Sequence, residues 1–374
     1  MNMMRSNSNS PIKDFDIMIV GGGPAGISTL LHLHKFTPEL ATRTILIEKE
    51  IYPRDKLCGG AVSGWSEIIF KNLGVNIDVP SVWIDNVEFR YGDNISSIHK
   101  PKFFRVVQRR EFDHELANIS IKRSLKLQEG EEFLNFVRSK DDLEVVTNRH
   151  RYKIKVLIGA DGTLSNVQKK MSLPNKPRLM STLEIFEPVN RKYDPEFDEK
   201  KVVFDFSPIK KGLQGYVWHF PCIRNNQSFI NHGICDSHFY RNHPKANMKT
   251  IFSNELEKRH IKPNVKSWSG YPIRLLSDDD ILSQPNILLA GDAAGIEPIL
   301  GGGIHLALSY GELASSTIIN AFKLNDFTFK DYKDRLNNHI IGKYIKKMNY
   351  FATNMYDNKI SPIEVAKEIF SKTK

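Results

Sequence analysis

One glycine-rich segment near the beginning of the chain constrains its fold more than any other feature. Residues 21–26 read G-G-G-P-A-G and match the pattern G-x-G-x-x-G. They follow an apolar run, 16–20, and precede a segment of helical character, 24–35. A second apolar run, 44–47, ends at Glu48. Strand, glycines, helix, strand and acid in this order predict a β-α-β unit that binds a dinucleotide.

The small residues of this segment have separate predicted roles. Gly21 allows the tight turn after the strand, Gly23 lets the backbone approach a pyrophosphate, and Gly26 lets the helix pack closely on the sheet. Pro24 and Ala25 begin the helix, whose unpaired N–H groups and positive dipole end attract phosphate. The turn therefore needs few polar side chains, because backbone N–H groups bind the anion.

The rest of the chain indicates a split domain. Two more apolar runs, 155–158 and 286–290, read as strands of the same buried sheet although they lie far apart in the sequence. The intervening runs are rich in strand-forming residues and predict an antiparallel sheet; they are 87–91, 201–206, 215–220 and 228–234. The stretch 304–374 is mainly helical in pattern, and Ser361-Pro362 is typical of a helix start.

These patterns predict an α/β fold in which one domain is inserted into another. The predicted divisions are a disordered tail at 1–12, a cofactor-binding domain from 13–80 with 101–175 and 277–325, a substrate-binding β domain from 81–100 with 176–276, and a helical region at 326–374.

Composition excludes several classes of protein. No apolar run reaches the roughly 18 residues that span a bilayer, and the polar segment 1–11 lacks the apolar core of a signal peptide. Three unpatterned cysteines argue against a disulfide framework or a metal site and favour a reducing, cytoplasmic setting. The net charge of +10 fits a solvated basic surface or attraction to an anionic partner. No finger, RNP-like strand or helix-turn-helix pattern suggests nucleic acid.

Three segments resemble motifs of the FAD-dependent oxidoreductase superfamily that includes the aromatic hydroxylases. They are the glycine segment with Glu48, G-A-D-G at 159–162 followed by Ser165 and Val167, and G-D-A-A-G at 291–295 followed by Pro298 and G-G-G-I at 301–304. Gln168 stands where the second motif has arginine. The resemblance implies a Rossmann-like FAD-binding domain with an inserted antiparallel β-sheet substrate domain and C-terminal helices.

The chemistry of FAD explains these residue types. Asp292 can hold a ribityl hydroxyl, and the turn 301–303 can aim N–H groups at the flavin ring, where negative charge builds up on reduction. The segment 109–113 resembles a superfamily helix start, with Arg109 toward the cofactor and Phe112 in the core. The residues expected to contact FAD are Gly21, Gly23, Pro24, Ala25, Gly26, Glu48, Lys49, Arg54, Cys58, Gly59, Gly60, Ala61, Arg109, Asp161, Gly162, Gly291, Asp292, Gly302, Gly303 and Ile304.

The segment 53–60, P-R-D-K-L-C-G-G, resembles the P-R-x-K-x-C-G-G element of the geranylgeranyl reductase family, whose members saturate C=C bonds of prenyl chains. The resemblance implies that Arg54 reaches the pyrophosphate and that Gly59 and Gly60 pass close to the flavin ring. Cys58 has two interpretations of equal weight, a small packing residue or a thiol that tunes the flavin or gates the substrate.

The segment 215–221, G-Y-V-W-H-F-P, resembles the aromatic motif that lines the substrate cavity of the same family. The residues expected to contact substrate are Tyr216, Trp218, Phe220, Pro221 and, from a shorter resemblance, Tyr271. The alternative is a strand whose alternate aromatic residues fill the core. The spacer before Gly233 is longer than in the family, which leaves the substrate open.

Two other flavoprotein chemistries stay open. The Trp218 strand also resembles a flavin-dependent halogenase motif, for which Lys56 is the nearest candidate lysine. A monooxygenase that adds oxygen through a flavin peroxide is the other alternative to the reductase. His219, His232 and His305 are each a candidate proton donor or an ordinary histidine, and His305 follows the glycine turn most closely. A membrane-surface binding protein with a vestigial flavin site is a weaker alternative.

The sequence therefore predicts an FAD-dependent reductase of an apolar or lipid substrate, with Cys58, Trp218 and His305 as candidate catalytic residues. No second G-x-G-x-x-G is present, so NAD(P)H or an electron carrier is expected to visit transiently. An acidic redox or carrier protein and an anionic membrane surface are the candidate partners, and peripheral membrane contact is left open.

Overall fold

The computed structural model describes residues 12–174 and 176–371. The predicted tail at 1–12 lies outside these residues apart from Ile12. The described chain forms three β-sheets of six, eight and four strands, with helices packed against them.

The strands of the described chain, in order, are β1 (Lys13–Asp14), β2 (Ile17–Val20), β3 (Thr44–Glu48), β4 (Ala61–Ser63), β5 (Ser81–Tyr91), β6 (Asn94–Val107), β7 (Lys126–Glu129), β8 (Phe133–Arg138), β9 (Leu143–Thr147), β10 (Arg151–Ile154), β11 (Val156–Gly159), β12 (Arg178–Pro188), β13 (Lys201–Asp205), β14 (Val217–Arg224), β15 (Gln227–Asp236), β16 (Ile273–Leu275), β17 (Ser283–Gln284) and β18 (Ile287–Leu289).

The α-helices of the described chain are α1 (Pro24–Phe36), α2 (Pro38–Thr42), α3 (Gly64–Leu73), α4 (Arg109–Lys122), α5 (Asn166–Lys170), α6 (Pro195–Asp198), α7 (Met248–Glu257), α8 (Gly303–Leu324), α9 (Tyr332–Asn338), α10 (Ile340–Tyr356) and α11 (Pro362–Ser371). Short 3₁₀ turns occur at Ser207–Lys211, Val265–Ser267 and Gly291–Ala293.

The six-stranded sheet has the order β17-β18-β11-β2-β3-β7, and all its neighbouring pairs are parallel except β17 with β18. Every residue of β2, β3, β11 and β18 is buried. Strands that are apolar on both faces must be covered on both sides, which explains their continuous runs of Ile, Leu and Val. The four apolar runs predicted to share one sheet do so.

Helices α1 and α8 pack against each other beside this sheet. Gly311 of α8 allows their close approach, because a Cβ at this position would lie 2.5 Å from the Cβ of Ser28. The Ser28 hydroxyl donates to the carbonyl of Leu308 at 2.6 Å, so the contact is also hydrogen-bonded. This packing fixes the N-terminal ends of both helices relative to the sheet.

The eight-stranded sheet has the order β16-β12-β15-β14-β13-β5-β6-β4. It is antiparallel except at β13 and β5, which run parallel, so the predicted purely antiparallel sheet needs correction at this pair. The reason is that β13 returns to the sheet through a long connection rather than a hairpin.

The domain boundaries expected from the sequence do not coincide with the ends of the strands in this sheet. Strand β6 continues through the expected boundary at 100/101, and β4 joins the eight-stranded sheet by pairing with β6. The cause is the length of the β5–β6 hairpin, whose second strand extends past the point where the sequence pattern changes.

The four-stranded sheet, in the order β1-β10-β9-β8, was not predicted. Its strands are short, and only one face is apolar. Leu143, Val145 and Tyr152 contribute that face to the main core. In the sequence, Leu143 and Val145 flank Glu144, and this short period-2 alternation was the available signal.

The predicted C-terminal helical region is confirmed within the described residues, and α11 begins at Pro362 as expected. Phe370 of α11 packs on the rings of Phe89, Phe103 and Phe204, with centroids 5.2, 6.0 and 5.5 Å away. In the described part of the chain, no helix combines the length and the apolar character needed to cross a membrane.

A buried ion pair joins the two large sheets. Arg274 of β16 is fully buried, and its guanidinium pairs with Asp280 at 3.0 Å. The same guanidinium donates to the carbonyl of Ala293, in the turn that follows β18, at 2.7 Å. The arginine therefore connects the edge of the eight-stranded sheet to the end of the parallel sheet.

Replacing Asp280 with alanine should destabilise the protein by about 3 kcal/mol, because breaking a buried pair leaves the Arg274 charge unpaired. Urea unfolding followed by circular dichroism measures this. Asp278→Ala, at an exposed position of the same loop, should change the free energy of unfolding by about 0.5 kcal/mol or less. Equal effects of the two variants would contradict the proposed role of the pair.

Candidate active site

A cavity of about 760 Å³ extends from the carboxyl ends of the parallel strands to one face of the eight-stranded sheet. Among the residues predicted from the sequence, those that line it are Gly21, Gly23, Pro24, Ala25, Glu48, Lys49, Arg54, Cys58, Gly59, Gly60, Ala61, Arg109, Asp161, Gly162, Tyr216, Trp218, Phe220, Tyr271, Asp292, Gly302, Gly303, Ile304 and His305. The structure thus brings together segments that are widely separated in the chain.

Three predicted residues do not line the cavity. Gly26 and Gly291 lie behind it and act through packing: a Cβ at Gly26 would be 1.9 Å from the carbonyl oxygen of Gly21, and one at Gly291 would be 2.7 Å from the Cβ of Ala25. Pro221, expected to contact substrate, follows Phe220 in β14. Because successive side chains of a strand alternate, it faces the other side of the sheet.

The glycine turn leaves backbone groups free for an anion. Gly21 has φ +105°, and a Cβ there would lie 2.4 Å from the carbonyl oxygen of Ala160, so a side chain is excluded. Gly23 caps α1 without a side-chain hydrogen bond, and Pro24 follows it. The first-turn N–H groups of α1 therefore have no intrahelical acceptors and are available to phosphate.

Glu48 holds this turn in place. Its carboxylate accepts hydrogen bonds from the backbone N–H of Gly22 at 2.8 Å and of Glu50 at 3.1 Å. The Tyr52 hydroxyl donates to the carbonyl of Gly22. Oε2 of Glu48 also accepts from Arg54 at 3.4 Å, whereas Oε1 can accept a second hydrogen bond and so has capacity for a ribose hydroxyl.

Two arginines lie beside the turn. Arg54 pairs with Asp113 at 3.1 Å and with Glu48 at 3.4 Å. Arg109 donates two parallel hydrogen bonds to Asp113, at 2.7 and 2.8 Å. The Nε of Arg54 is buried and has no hydrogen-bond acceptor among the described residues. An unsatisfied buried donor next to a glycine turn and a helix N-terminus fits the pyrophosphate of FAD.

The second glycine turn, 301–303, is shaped by Glu297, which the sequence reasoning missed. The Glu297 side chain is fully buried and accepts hydrogen bonds from the backbone N–H groups of Ile299 at 2.6 Å, Leu300 at 3.0 Å and Gly302 at 2.8 Å. Its position, between G-D-A-A-G and the following proline, was the available signal.

Helix α8 begins directly after this turn, and its N-cap Gly302 makes no side-chain hydrogen bond. A Cβ at Gly303 would lie 3.5 Å from a carboxylate oxygen of Asp292. Backbone donors, a positive helix end and a carboxylate therefore meet at one end of the cavity. These groups fit the polar edge of a flavin ring and its ribityl chain.

Trp218 lies flat across the neighbouring strand because Gly233 has no side chain. A Cβ at Gly233 would be 2.0 Å from Cζ2 of the indole. The indole Nε1 donates to the side-chain oxygen of Asn231 at 2.9 Å. Gly59 approaches the same aromatic wall, since a Cβ there would lie 3.3 Å from the ring of Phe220. The Cys58-Gly59-Gly60 segment thus runs along the wall.

Cys58 is half-buried in the cavity wall. Its Sγ accepts a hydrogen bond from the backbone N–H of Gly60 at 3.3 Å, and its carbonyl accepts one from the side chain of Asn231 at 3.4 Å. The thiol thus borders the cavity while its backbone is fixed. Both interpretations of Cys58 stay predictions.

Lys56 also borders the cavity, and its Nζ lies 3.2 Å from the centre of the Tyr271 ring. Burial lowers the pKa of Lys56 to about 8, although the nearby Asp292 carboxylate acts in the opposite direction. The side chain is therefore a cation at neutral pH that has lost much of its hydration.

The three candidate histidines are in different environments. His305 borders the cavity and packs against Trp65 and Tyr344, with ring centroids 5.1 and 5.6 Å away. Burial lowers the pKa of His305 to about 4, so it is neutral at pH 7. His219 and His232 share a 2.6 Å Nδ1–Nδ1 contact and do not line the cavity.

The far end of the cavity is apolar and was largely missed. Its walls come from β6, β12, β13, α10 and α11, which are far apart in the sequence. The unpredicted residues there include Phe104, Met180, Phe204, Tyr344, Ile369 and Phe370. No local motif identifies such residues, because only packing of separate elements brings them together.

The chain is similar in sequence to proteins that are named as reductases. No family model matches the chain. A protein named digeranylgeranylglycerophospholipid reductase 3 from Methanosphaera stadtmanae is 26% identical over 93% of this chain and 88% of its own length. An uncharacterised protein from Methanosarcina barkeri is 24% identical over 93% of this chain and 85% of its own.

A solved structure described as geranylgeranyl bacteriochlorophyll reductase-like, from Thermoplasma acidophilum, matches with a TM-score of 0.74 and 20% identity, covering 97% of this chain and 92% of that chain. The chain is therefore similar along most of its length to proteins named as geranylgeranyl-type reductases, and it shares their fold.

The same fold occurs in flavoproteins of other chemistry. A flavin-dependent brominase matches with a TM-score of 0.71 and 17% identity over 96% of this chain and 94% of that chain. Similarity in sequence to the proteins named as reductases extends along most of the chain. The fold alone is shared with flavoproteins of other chemistry.

Gly21→Ala should weaken FAD binding by at least about tenfold, because the positive φ and the carbonyl of Ala160 leave no room for a Cβ. Titration of the apoprotein with FAD measures the dissociation constant. Gly64→Ala is the matched control, since a Cβ at Gly64 meets nothing within 4 Å. Equal FAD affinity of the two variants would contradict the tight-turn role of Gly21.

Lys56→Met should change how the stability of the apoprotein depends on pH. The pKa of Lys56 falls from 10.5 to about 8 on folding, so the unfolded chain binds more protons between these values. Wild-type stability should therefore rise relative to Lys56→Met from about pH 8 to about pH 10.5. Urea unfolding across this range tests the sign, and parallel curves would contradict it.

Proposed function

We propose that this chain is an FAD-dependent reductase that saturates C=C bonds of a prenyl lipid. The observation that supports the proposal is the continuity of one cavity from the glycine turns to an apolar end lined by aromatic and aliphatic side chains. A long hydrocarbon chain fits such a cavity. The relatives named digeranylgeranylglycerophospholipid reductases act, as their name states, on a lipid that carries such chains.

The cofactor is held mainly by backbone groups. The turn at 21–23 and Arg54 bind the pyrophosphate, and Glu48 binds the ribose. The turn at 301–303 and Asp292 bind the flavin end. When bound and reduced, FAD supplies the hydride for the alkene. The protein would position the reacting chain against the cofactor and exclude water from the site.

The aromatic wall positions the substrate. Trp218 is fixed by its hydrogen bond to Asn231, and Tyr216 by its hydroxyl, which donates to the carbonyl of Leu300 at 2.6 Å. Phe220 and Phe204 pack edge to face, with centroids 5.2 Å apart. Rigid rings with few rotamers hold an apolar chain with little loss of entropy. Cys58 and His305 are proposed to border the reacting carbon atoms.

The reductant is proposed to be NAD(P)H or an electron carrier that binds transiently. The sequence has a single G-x-G-x-x-G, so a second nucleotide domain is not proposed. The net charge of +10 favours an acidic carrier or an anionic lipid surface. Peripheral contact with a membrane would give the enzyme access to a prenyl lipid, and α10 supports it with exposed Ile340 and Tyr350.

A specific observation favours a second candidate function, an oxygen-dependent monooxygenase or halogenase. Lys56 presents a partly dehydrated cation to the cavity, and flavin-dependent halogenases need a lysine along the path from the flavin. The segment around Lys56 resembles reductases instead, which makes this the weaker candidate.

Trp218→Ala should lose at least about tenfold in turnover of prenyl substrates while it keeps FAD, because the substrate wall collapses but the glycine turns do not change. Product analysis by mass spectrometry and the flavin absorbance of the purified protein measure the two properties. Trp83→Ala is the control, since Trp83 is 37% exposed and does not line the cavity. Loss of FAD from the Trp218 variant would mean that the strand has a structural role only.

Rapid mixing of the reduced, FAD-loaded protein with oxygen separates the two candidate functions. The reductase proposal expects a direct return to the spectrum of oxidised flavin. A long-lived intermediate spectrum between the reduced and oxidised forms would instead support the monooxygenase or halogenase, because those enzymes must protect an oxygenated flavin from decay.

A further inference from the structure

Glu184 is an unusual carboxyl group in the wall of the cavity. It lies in the middle of β12, is 4% exposed, and lines the cavity together with Met180 and Thr182 of the same face. One of its oxygens, Oε2, accepts a hydrogen bond from Nδ2 of Asn231 at 3.2 Å. The other oxygen, Oε1, is buried and has no hydrogen-bond partner among the described residues.

Burying a carboxyl group with one oxygen unsatisfied is costly, and buried polar groups in proteins are usually paired. Sequence alternation does not require a glutamate here, since its neighbours on the same face of β12, Met180, Thr182 and Phe186, are uncharged. A carboxyl group directed into a cavity that receives a ligand is instead a candidate for chemistry.

The surrounding strands give Glu184 a direct connection to the aromatic wall. Trp218, Gly233 and Glu184 are register partners across β14, β15 and β12. Because Gly233 has no side chain, nothing stands between the indole and the carboxyl group along this row. Asn231 bridges them, since its oxygen accepts from Trp218 and its nitrogen donates to Glu184.

Burial and the surrounding charges act in opposite directions on this carboxyl group. Burial raises the pKa of Glu184, whereas the Asn231 hydrogen bond, the Cys58 backbone, Lys56 and Arg224 act in the opposite direction. Burial, with a smaller contribution from Glu184, raises the pKa of Cys222 to about 12, so this neighbouring thiol stays neutral. Two cations and one amide thus face the group that would carry the charge.

We propose that Glu184 is the acid that donates the proton when a C=C bond is reduced in this cavity. This inference rests on the proposed reductase function. The π bond breaks as one carbon receives a hydride, which reduced FAD supplies as it is oxidised. The other carbon takes the proton of the Glu184 O–H bond, leaving a carboxylate. A two-electron donor, such as NAD(P)H, restores the reduced cofactor, and water returns the proton to Glu184.

The candidate histidines and Lys56 fit this step less well. His305 borders the cavity, but a pKa of about 4 leaves it without a transferable proton of suitable acidity at pH 7. His219 and His232 do not line the cavity. Lys56 carries a proton at pH 7, but its ammonium group lies on the face of Tyr271, where it is placed to stabilise the Glu184 anion.

Glu184→Gln tests the proposal, because glutamine keeps the shape of the side chain but is not an acid. Glu187→Gln, on the same strand with its side chain on the other face, is the matched control, and Lys56→Gln tests the competing donor. Each FAD-loaded variant is assayed for FAD content, for the rate of chemical reduction of the flavin, and for saturation of a prenyl phosphate in deuterated and ordinary water.

A second readout does not depend on turnover. The infrared difference spectrum between wild type and Glu184→Gln, recorded from pH 6 to pH 9, isolates the C=O stretch of a protonated Glu184. Other buried carboxyl groups, such as Glu297, occur in both proteins and cancel. The proposal expects a carboxylic-acid band at pH 7 that is absent from the variant.

The expected result is that Glu184→Gln keeps FAD and flavin reduction but loses about a hundredfold or more in product formation, the usual contribution of a general acid. Glu187→Gln should match the wild type. Three outcomes would overturn the donor role of Glu184 without affecting the reductase proposal. They are turnover by Glu184→Gln within about threefold of wild type, a loss of turnover in Lys56→Gln only, and an ionised Glu184 at pH 7. A wild-type enzyme that saturates no prenyl double bond would overturn the reductase function itself.

Discussion

The parallel arrangement of β2, β3 and β11 is the constraint on which the site depends. These strands are apolar on both faces, so they must lie side by side in the centre of the sheet with their carboxyl ends at one edge. Three loops therefore meet at that edge, and the backbone of Gly21 touches that of Ala160. The contact is too close for any side chain, and the anion-binding turn follows from it.

The second part of the site depends on how the eight-stranded sheet is joined to the parallel sheet. Arg274 and Asp280 connect its edge to the turn after β18, which carries Asp292. Shortly after this turn in the chain, Glu297 shapes the loop at 301–303. Buried charges that bond to backbone groups thus fix both the cofactor end and the aromatic wall, where a purely apolar interface would leave their relative position less well defined.

The sequence predicted the parallel strands, the helix after the glycine turn and most of the residues that line the cavity beside the glycine turns, because each depends on local constraints of turn geometry and strand burial. It missed the four-stranded sheet, whose short strands are apolar on one face only. It also assigned β4 to the cofactor-binding domain, although β4 pairs with β6 in the eight-stranded sheet. Three residues carry too little periodicity to reveal a partner strand. Pro221 was expected in the cavity with its neighbour Phe220, although alternation along β14 separates them.

The sequence by itself determined the glycine turns and the acids beside them, since glycines and acids at fixed spacing are required wherever backbone must approach a phosphate or a flavin. Only the tertiary structure decided which side chains meet at the aromatic wall of the cavity. Glu184, Asn231 and Trp218 come from three strands, and Phe370 comes from the last helix. No spacing in the chain relates them, because their proximity results from strand register and from packing between elements distant in sequence.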